Sequence, residues 1–350
     1  MQKHKVENPQ KSLIINLSII LGLYLIAAFA DFLCPYTPTQ SFTPRISYSP
    51  PNKIYFSFSE GFYFHPQELK VKREEFERTF KENKNKTCHL KLFSGGYKYK
   101  LLGFLPTSYH FFTTPDCKEG LHFLGTDNLG RDYLARLIHG LRPSLIVGIL
   151  GIIISFPLGI LYGTIAGYKD GAIGETMMRF VEVILSLPTL YLLVVLAAIL
   201  PPTLSSLQRL CLITVILSFI GWAGLARVVR GQVLSINKRE YVQAAKLIGE
   251  PEIKILIREI IPQLSSYLII ALTLSFPSYI LGETTLSFLG LGINQPDASL
   301  GNILSEAREL PNLFLRPWFA LCPTLIIVLL TWCFNSLGDQ LRDILDPKAV

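Results

Sequence analysis

The stretch Asn237-Lys-Arg-Glu-Tyr-Val-Gln-Ala-Ala-Lys-Leu-Ile-Gly249, which continues to Pro262, is a charged segment between two strongly apolar ones. Asn237 is a favourable helix N-cap, and Glu240 three residues later can reach back to it, as in a capping box. Gly249 is placed to end this helix, and Pro251 suits the first turn of the next. The stretch therefore predicts two short helices that meet at a sharp angle.

One face of the first predicted helix is apolar and carries unusually small side chains. Tyr241, Ala244, Ala245 and Ile248 recur at the i, i+3, i+4 and i+7 positions of a helix. Because the alanine pair would let the backbone of another protein come close, this hairpin is suited to enter a groove of a partner protein.

The residues Glu240-Tyr-Val-x-Ala244-Ala245-x-x-x-Gly249, followed by Ile260-Ile-Pro262, resemble the EAA loop of ABC importer permeases. In that family the loop is the coupling helix, which docks on the cytoplasmic ATPase subunit. The resemblance implies that an ATPase is contacted by Glu240, Tyr241, Ala244, Ala245, Gly249 and Pro262. An ordinary cytoplasmic helical hairpin is the alternative interpretation.

The composition is that of a membrane protein. Half of the 350 residues are hydrophobic, 17% are charged, and the mean hydropathy is +0.38, whereas a soluble domain carries about a quarter charged residues. Six apolar runs are long enough to cross a bilayer as helices. They are residues 12–33, 143–167, 178–200, 208–228, 264–288 and 317–337. The predicted fold class is an all-α polytopic membrane protein with six transmembrane helices and a transmembrane core over 143–337.

Four of these runs contain a proline, namely Pro157, Pro188, Pro277 and Pro323. Proline is tolerated in a transmembrane helix where neighbouring groups satisfy the freed backbone atoms, so these positions predict kinked helices around a cavity. Pro188 and Pro277 are therefore candidates for a pathway or gating role. Kinks without a role in transport are the alternative.

Lysine and arginine predict the orientation, because they are enriched in short cytoplasmic loops. Residues 1–11 and the loop 229–262 are basic, whereas the turn 201–207 has no basic residue. Both termini, 1–11 and 338–350, and the coupling loop are then cytoplasmic, and 34–142 is external. The net charge of +7 is explained by this distribution without nucleic acid.

The external segment predicts a small α+β domain between helices 1 and 2. Short alternating patches in 37–70 and from Leu90 to Leu105 predict strands, with a turn at Gly95-Gly96. Residues 70–86, including Glu74, Glu75, Phe76 and Phe80, predict a solvated helix. This domain either contacts a substrate-delivery protein or is a lineage-specific addition.

Six cysteines are present, and Cys88 and Cys117 are the two that lie well inside the external segment. They can form a disulfide in an oxidising compartment, although spacing alone does not show that they meet. No Cys/His spacing indicates a metal site.

Residues Gly125-Thr-Asp-Asn-Leu-Gly130-Arg131-Asp132 resemble the Gly-Thr-Asp-x-x-Gly-Arg-Asp signature of the dipeptide and oligopeptide branch of ABC importer permeases. Gly125 and Gly130 allow tight turns, Asp127 or Asn128 can cap, and Arg131 and Asp132 can form ion pairs. The motif is either a structural clasp or a direct contact with substrate. The resemblance covers about 120–350, and the segment 40–120 is longer than in the plain dipeptide type.

An ionisable residue inside a membrane is a functional candidate by default, and Glu283 has no basic residue near it in its own helix. It either faces the pathway or pairs with a partner subunit. The chain has no Gly-x-x-x-x-Gly-Lys-Ser/Thr phosphate loop and so is predicted to be non-catalytic.

The family resemblance implies the partners and the place of this chain. Six helices make half of a translocation path in the family, so the chain would pair with a homologous permease, two ABC ATPase subunits that bind ATP and magnesium, and an extracytoplasmic solute-binding protein. This assembly would lie in a bacterial inner membrane. The implied cargo is peptide, with nickel, glutathione or sugar as alternatives. A secondary transporter and a membrane-anchored sensor are the rival classes.

Overall fold

The computed structural model describes residues 9–42, 47–59, 61–72, 77–308 and 314–345. The predicted cytoplasmic ends lie partly outside these ranges, at 1–8 and 346–350. The chain divides into two compact units. The helical unit comprises 1–20, 144–292 and 325–350, and the β-rich unit comprises 21–143 and 293–324.

Long apolar helices account for most of the chain. They are α1 (Pro9–Ala28), α3 (Tyr133–Tyr168), α6 (Ser206–Asn237), α9 (Ser265–Phe288) and α11 (Trp318–Leu345). Between α1 and α3 lies the short helix α2 (Ala30–Leu33). Among the described residues, five helical stretches are long and apolar enough to cross a membrane, and a sixth crossing requires a bent pair of helices to be counted as one.

The span predicted at 178–200, with a kink expected at Pro188, is a bent pair of helices. Helix α4 (Ala172–Ser186) and helix α5 (Thr189–Ala198) meet at 79°. Leu187 has an extended backbone with ψ of 136°, because the residue before a proline is disfavoured in the helical region. Pro188 therefore breaks the span, whereas Pro277 and Pro323 lie inside continuous helices.

Three further short helices lie between the long ones among the described residues. They are α7 (Glu240–Leu247), α8 (Glu252–Ile255) and α10 (Leu300–Ala307). A π-helical turn (Leu256–Ile260) and a 3-10 turn (Ile261–Leu264) join α8 to α9. Helix α10 begins with a capping box in which Ser299 and Asn302 satisfy each other's backbone N–H groups.

Glycines in α3 allow the neighbouring helices to approach closely. A Cβ atom at Gly163 would lie 2.5 Å from the carbonyl oxygen of Ala226 in α6. A Cβ atom at Gly151 would lie 2.5 Å from the ring of Tyr279 in α9. Small residues let transmembrane helices pack backbone to backbone, so these glycines define the helix contacts of the helical unit.

The β-rich unit contains short antiparallel strands. They are β1 (Ile54–Ser57), β2 (Gly61–Phe64), β3 (Gln67–Lys72), β4 (Glu77–Glu82), β5 (Cys88–His89), β6 (Lys91–Leu101) and β7 (Leu105–Thr113). Strands β1, β2 and β5 form one sheet in this order, and β3–β4 and β6–β7 are hairpins. The core between them contains Phe64, Phe112, Leu121 and the cysteines 88 and 117.

Two predictions for this segment are wrong. The solvated helix expected over 70–86 is the β3–β4 hairpin, in which Leu69 pairs with Phe80. Alternation of apolar and charged residues suits a strand, and here it outweighs the helical propensity of the glutamates. Glu74, Glu75 and Phe76 lie outside the described residues. The described residues from 34 to 132 form strands and loops and no helix, so the expected α+β composition is not found there.

The turn of the last hairpin is also displaced. Strand β6 continues through Gly95 and Gly96, and the chain reverses at Leu102 and Gly103, which have φ of +53° and +85°. Successive positive φ values match the right-handed twist of a hairpin. The predicted strands at 90–105 are therefore present with a different turn.

Cys88 and Cys117 form a disulfide, with Cα atoms 5.7 Å apart and 29 positions apart in sequence. We expect the double variant Cys88→Ser/Cys117→Ser to lower the stability of the β-rich unit by about 3 kcal/mol, because the bond restricts the unfolded chain. The measurement is protease resistance of the purified chain at increasing temperature. Cys211→Ser, which removes an exposed free thiol, is the matched control. Equal resistance of the two variants would contradict the prediction.

Candidate functional site

Helix α7 begins at a different residue from the predicted one. Helix α6 continues to Asn237, so Asn237 ends a helix instead of capping the next, and Arg239 occupies the N-cap position of α7 without a side-chain cap. The predicted capping box is absent. The side chain of Gln243 instead donates to the carbonyl oxygen of Asn237 at 2.6 Å and links α7 back to α6.

The end of α7 is at Gly249, as the sequence predicts. Gly249 has φ of +77°, and its N–H donates to Lys246 O at 3.1 Å. The N–H of Glu250 donates to Ala245 O at 3.1 Å. This pair of bonds is a Schellman motif, which favours glycine because other residues are strained at positive φ. Space around Gly249 is open, so its conformation rather than crowding requires glycine.

Helix α7 packs against this chain through one face and leaves exposed most of the apolar face that was predicted to meet a partner. Val242 and Ala245 are buried, whereas Tyr241, Ala244 and Ile248 are exposed. The i, i+3 pair of buried residues holds the helix against the helical unit. Glu240 and Pro262 are also exposed, so the predicted contact residues apart from Ala245 are available to a partner.

Exposed apolar side chains continue from α7 into α8 and the π-helical turn. Leu247 and Ile248 are 88% and 77% exposed, and Ile253 and Ile257 are also exposed. We call Leu247, Ile248, Ile253 and Ile257 the α7–α8 patch. Leu247 and Ile248 lie outside the stretches that are long and apolar enough to cross a membrane, and Ile253 and Ile257 lie at the start of the stretch Glu252–Phe288. Large apolar residues so exposed on a connecting segment indicate a protein-binding surface.

The base of the patch is fixed to helix α3. The ammonium group of Lys246 lies 4.7 Å from the centre of the Tyr168 ring, and Lys169 pairs with Glu252 at 3.5 Å. The neighbouring residues Ile255, Ile260 and Leu264 are buried. Together with the hydrogen bond from Gln243 to Asn237, these contacts fasten the α7–α8 loop to the ends of α3 and α6.

Two cavities in the helical unit share the side chains of Ser275, Ser278 and Tyr279 around Pro277. Their volumes are about 400 Å³ and about 280 Å³. The residues that line them are apolar, small or hydroxyl-bearing, and none carries a charge. The sequence analysis missed these serines, because single hydroxyls in an apolar run give no signal.

Glu283 lies beside this region and is fully buried. One carboxylate oxygen accepts a hydrogen bond from Ser144 at 2.9 Å, and the other accepts one from Ser287 at 2.7 Å. Glu283 does not line either cavity, although its neighbour Gly282 does. In the described structure this carboxylate joins α3 to α9.

Asp127 is the centre of a buried ion-pair network in the β-rich unit. One of its oxygens accepts from Arg131 Nε and from Arg136 Nη1, both at 2.6 Å. The other accepts from the backbone N–H of Leu129 and of Arg131, both at 2.9 Å. All four bonds go to a carboxylate with no exposed surface, so the signature motif folds around Asp127.

Glu306 in α10 completes this network from a distant part of the sequence. Its carboxylate lies 2.7 Å from Arg136 Nη1 and 3.5 Å from Arg131 Nη2. Burial raises the pKa of Glu306, and the neighbouring arginines oppose that rise. The sequence analysis missed Glu306, because the two ends of the ion pair are 170 residues apart.

The remaining signature residues shape the same turn. Gly125 and Gly130 have φ of +82° and +70°, and a Cβ atom at Gly125 would lie 2.3 Å from Ser49 O. Asp132 accepts a hydrogen bond from His122 at 2.8 Å. The predicted motif residues are thus brought together around one buried turn.

Comparison with known proteins gives consistent matches. The family described as "binding-protein-dependent transport system inner membrane component" matches residues 159–350. The oligopeptide transport system permease protein OppC of Haemophilus influenzae is 40% identical over 242 residues, which cover 69% of this chain and 75% of that protein. The dipeptide transport system permease protein DppC of Bacillus subtilis is 42% identical over 228 residues, or 65% of this chain and 69% of that protein.

A solved structure of the methionine ABC transporter MetNI in an inward-facing conformation overlaps 61% of this chain and 97% of that chain. The TM-score is 0.48 and the sequence identity is 18%. This likeness is too low to support a conclusion.

The Asp127 network gives a test of the clasp. We expect Asp127→Asn to destabilise the folded chain by about 3–5 kcal/mol, because it leaves two buried arginines with one carboxylate fewer. The measurement is the thermal unfolding midpoint of the purified chain in detergent. Asp116→Asn, which changes a half-exposed carboxylate paired loosely with His89, is the control. An unchanged midpoint in Asp127→Asn would rule out a structural clasp.

Proposed function

This chain belongs to the family of binding-protein-dependent transport system inner membrane components, and we propose that it is the permease subunit of an ATP-driven peptide importer. The α7–α8 patch carries the proposal, because it is an exposed apolar surface on a loop that is rigidly connected to the helical unit. Within such an importer the chain is non-catalytic, and ATP with magnesium is bound by partner ATPase subunits.

The proposed orientation places the α7–α8 loop in the cytoplasm. The loop is basic, as cytoplasmic loops of membrane proteins are. Both termini are then cytoplasmic, and the segment 34–142 is external. A disulfide between Cys88 and Cys117 is consistent with an external, oxidising location for that segment.

The α7–α8 patch is proposed to dock in a groove of the ATPase subunit. Leu247 and Ile248 are the side chains that would be desolvated first, and Tyr241 and Ala244 lie exposed on the same short helix. Apolar anchors that enter a pocket supply most of the binding free energy at a protein interface. The basic residues around the patch would contribute orientation and association rate.

Movement of the ATPase pair would reach the bundle through two connections. The first is the contact of Lys246 with Tyr168 at the end of α3. The second is the irregular segment 256–264, in which a π-helical and a 3-10 turn lead directly into α9. A rigid loop transmits displacement, so closure of the ATPases would tilt α3 and α9. The cavities would then open alternately to the two sides of the membrane.

The cavities around Ser275 and Ser278 are proposed to form this subunit's half of the translocation path. Uncharged walls with hydroxyl groups can satisfy peptide backbone groups without selecting a side-chain charge. The names of the relatives, which are oligopeptide and dipeptide permeases, support a peptide cargo. The broken span at Pro188 supplies a flexible element beside this path, because Thr189 lines the smaller cavity.

The proposed assembly contains a homologous permease that supplies the second half of the path. It also contains two ABC ATPase subunits and an extracytoplasmic solute-binding protein that delivers the peptide. Glu283, which binds two serine hydroxyls within this chain, is proposed to hold α3 and α9 together beside the path. The signature motif around Asp127 is proposed to be an external clasp rather than a peptide contact.

Docking is tested by reversing the polarity of the patch. We expect Leu247→Glu/Ile248→Glu to abolish ATP-dependent transport and co-purification with the ATPase subunits, because a charged pair cannot be buried at the interface. The membrane level of the chain should not change. Phe58→Glu, which alters a fully exposed apolar residue of the β-rich unit, is the matched control. Normal assembly of the patch variant would refute the assignment.

Cargo and path are tested together in proteoliposomes that contain the whole transporter and its binding protein. We expect ATP-dependent uptake of labelled peptides, and we expect Ser278→Leu to lower the maximal uptake rate at least about tenfold by filling the path. The control Ser265→Leu lies at the start of α9 and lines neither cavity. ATP-independent uptake, or uptake of nickel in place of peptides, would overturn the proposal.

A further inference from the structure

The end of helix α1 marks a membrane boundary within the β-rich unit. Leu21 and Leu25 of α1 are exposed, as side chains that face lipid are. At the end of the helix, Arg142 donates to the carbonyl oxygens of Ala27 and Ala28 at 2.6 and 3.0 Å. Arg142 also pairs with Asp31 at 2.6 Å. Charged groups avoid the hydrocarbon core, so this cluster lies at the level of the headgroups.

The β6–β7 hairpin is fastened to this boundary. The His110 ring lies 2.7 Å from Asp31 O, and the Tyr97 hydroxyl donates to the Asp31 carboxylate at 3.3 Å. The ring of Phe32, the next residue, lies 6.4 Å from Phe93 and 6.3 Å from Phe111. The hairpin therefore contacts both Asp31 of the charged cluster and the neighbouring Phe32.

One face of the hairpin is an exposed row of large apolar and aromatic side chains. Leu105, Tyr109 and Phe111 alternate along β7 and so share a face. Phe93 adjoins Phe111 with ring centres 5.5 Å apart, and Phe104 lies at the tip. We call these five residues the aromatic stripe. Phe93, Phe104 and Tyr109 are 65%, 68% and 64% exposed.

The opposite face of the hairpin differs in both chemistry and surroundings. His110 and Phe112 are buried in the unit, and farther along Lys100 is exposed, opposite Pro106. Towards its tip this face thus carries a charge, whereas the aromatic stripe carries none. An apolar row beside a lysine-bearing face is the arrangement of elements that lie in a membrane interface.

Phe93 has an unusual backbone conformation. Its φ of +47° is strained for a bulky residue. An exposed phenylalanine gains nothing from this strain in water. In contact with Phe32 at the headgroup level, its ring joins a group of aromatic residues of the kind that line membrane interfaces.

We infer that the β6–β7 hairpin lies on the membrane surface, with the aromatic stripe in the headgroup zone of the bilayer that α1 enters. The occupant of this face is lipid, because the stripe is continuous at Phe32 with a helix end whose leucines are exposed to lipid. The inference goes beyond the transport proposal, since it concerns a segment outside the matched family region and gives it a partner.

Photocrosslinking tests this inference in native membranes, where the other transporter subunits are also present. The photoreactive residue p-benzoylphenylalanine replaces Tyr109 or Phe104 in the full chain, and mass spectrometry identifies the adducts. We expect phospholipid adducts in several-fold excess over the same substitution at Lys100 on the opposite face and at Phe58 in the turn after β1. A retained Cys88–Cys117 disulfide on non-reducing gels verifies folding of each variant.

Adducts on the binding protein or on another subunit would overturn the inference and make the stripe a protein-docking surface. Lipid adducts at Lys100 equal to those at Tyr109 would also overturn it. A second readout uses Tyr109→Trp, whose fluorescence we expect brominated lipids to quench, with Lys100→Trp as the unquenched control. Absence of quenching at position 109 would contradict lipid contact independently of crosslinking chemistry.

Discussion

The absence of water in the bilayer core constrains this chain more than any other factor. Every backbone N–H and C=O group that crosses the hydrocarbon must find its partner within the protein, so the crossing segments are helices. The side chains then determine how closely these helices pack against one another. The glycines of α3 let the backbone of α6 and the aromatic rings of α9 approach α3 closely, and the serines of α9 remain available to line cavities. The break between α4 and α5 at Leu187–Pro188 is an exception, because the helix is interrupted there and bends by 79°.

Charged groups are used where the helices leave that environment. Arg142 and Asp31 close the end of α1, Lys246 and Tyr168 fix α7 to α3, and Asp127 gathers two arginines. In each case a pair or network replaces hydration that the group loses on folding. Uncharged side chains therefore surround the proposed path, whereas the charged pairs lie at the ends of the helices and hold them together.

The sequence predicted the helices well because a run of about 20 apolar residues has few alternatives. It also predicted the end of α7, since Gly249 supports a backbone that other residues resist. The predicted start of α7 was wrong, because Asn237 belongs to the last turn of α6 and does not cap α7. The sequence prediction failed again at 70–86, where pairing of Leu69 with Phe80 decided for strands. The partnership of Arg136 with Glu306 was inaccessible, because only the folded chain brings distant residues together.

The ion pair between Arg136 and Glu306 joins residues that are synthesised at different times. The ribosome makes Glu306 170 residues after Arg136, when most of the crossing helices have already emerged. Until then Arg131 and Arg136 share the carboxylate of Asp127 alone, because the second carboxylate of the network, that of Glu306, has not yet been made. A chain interrupted before α10 is therefore chemically distinguishable from a finished one. The buried ion-pair network therefore reaches its full set of partners only after α10 has been made, late in the synthesis of the chain.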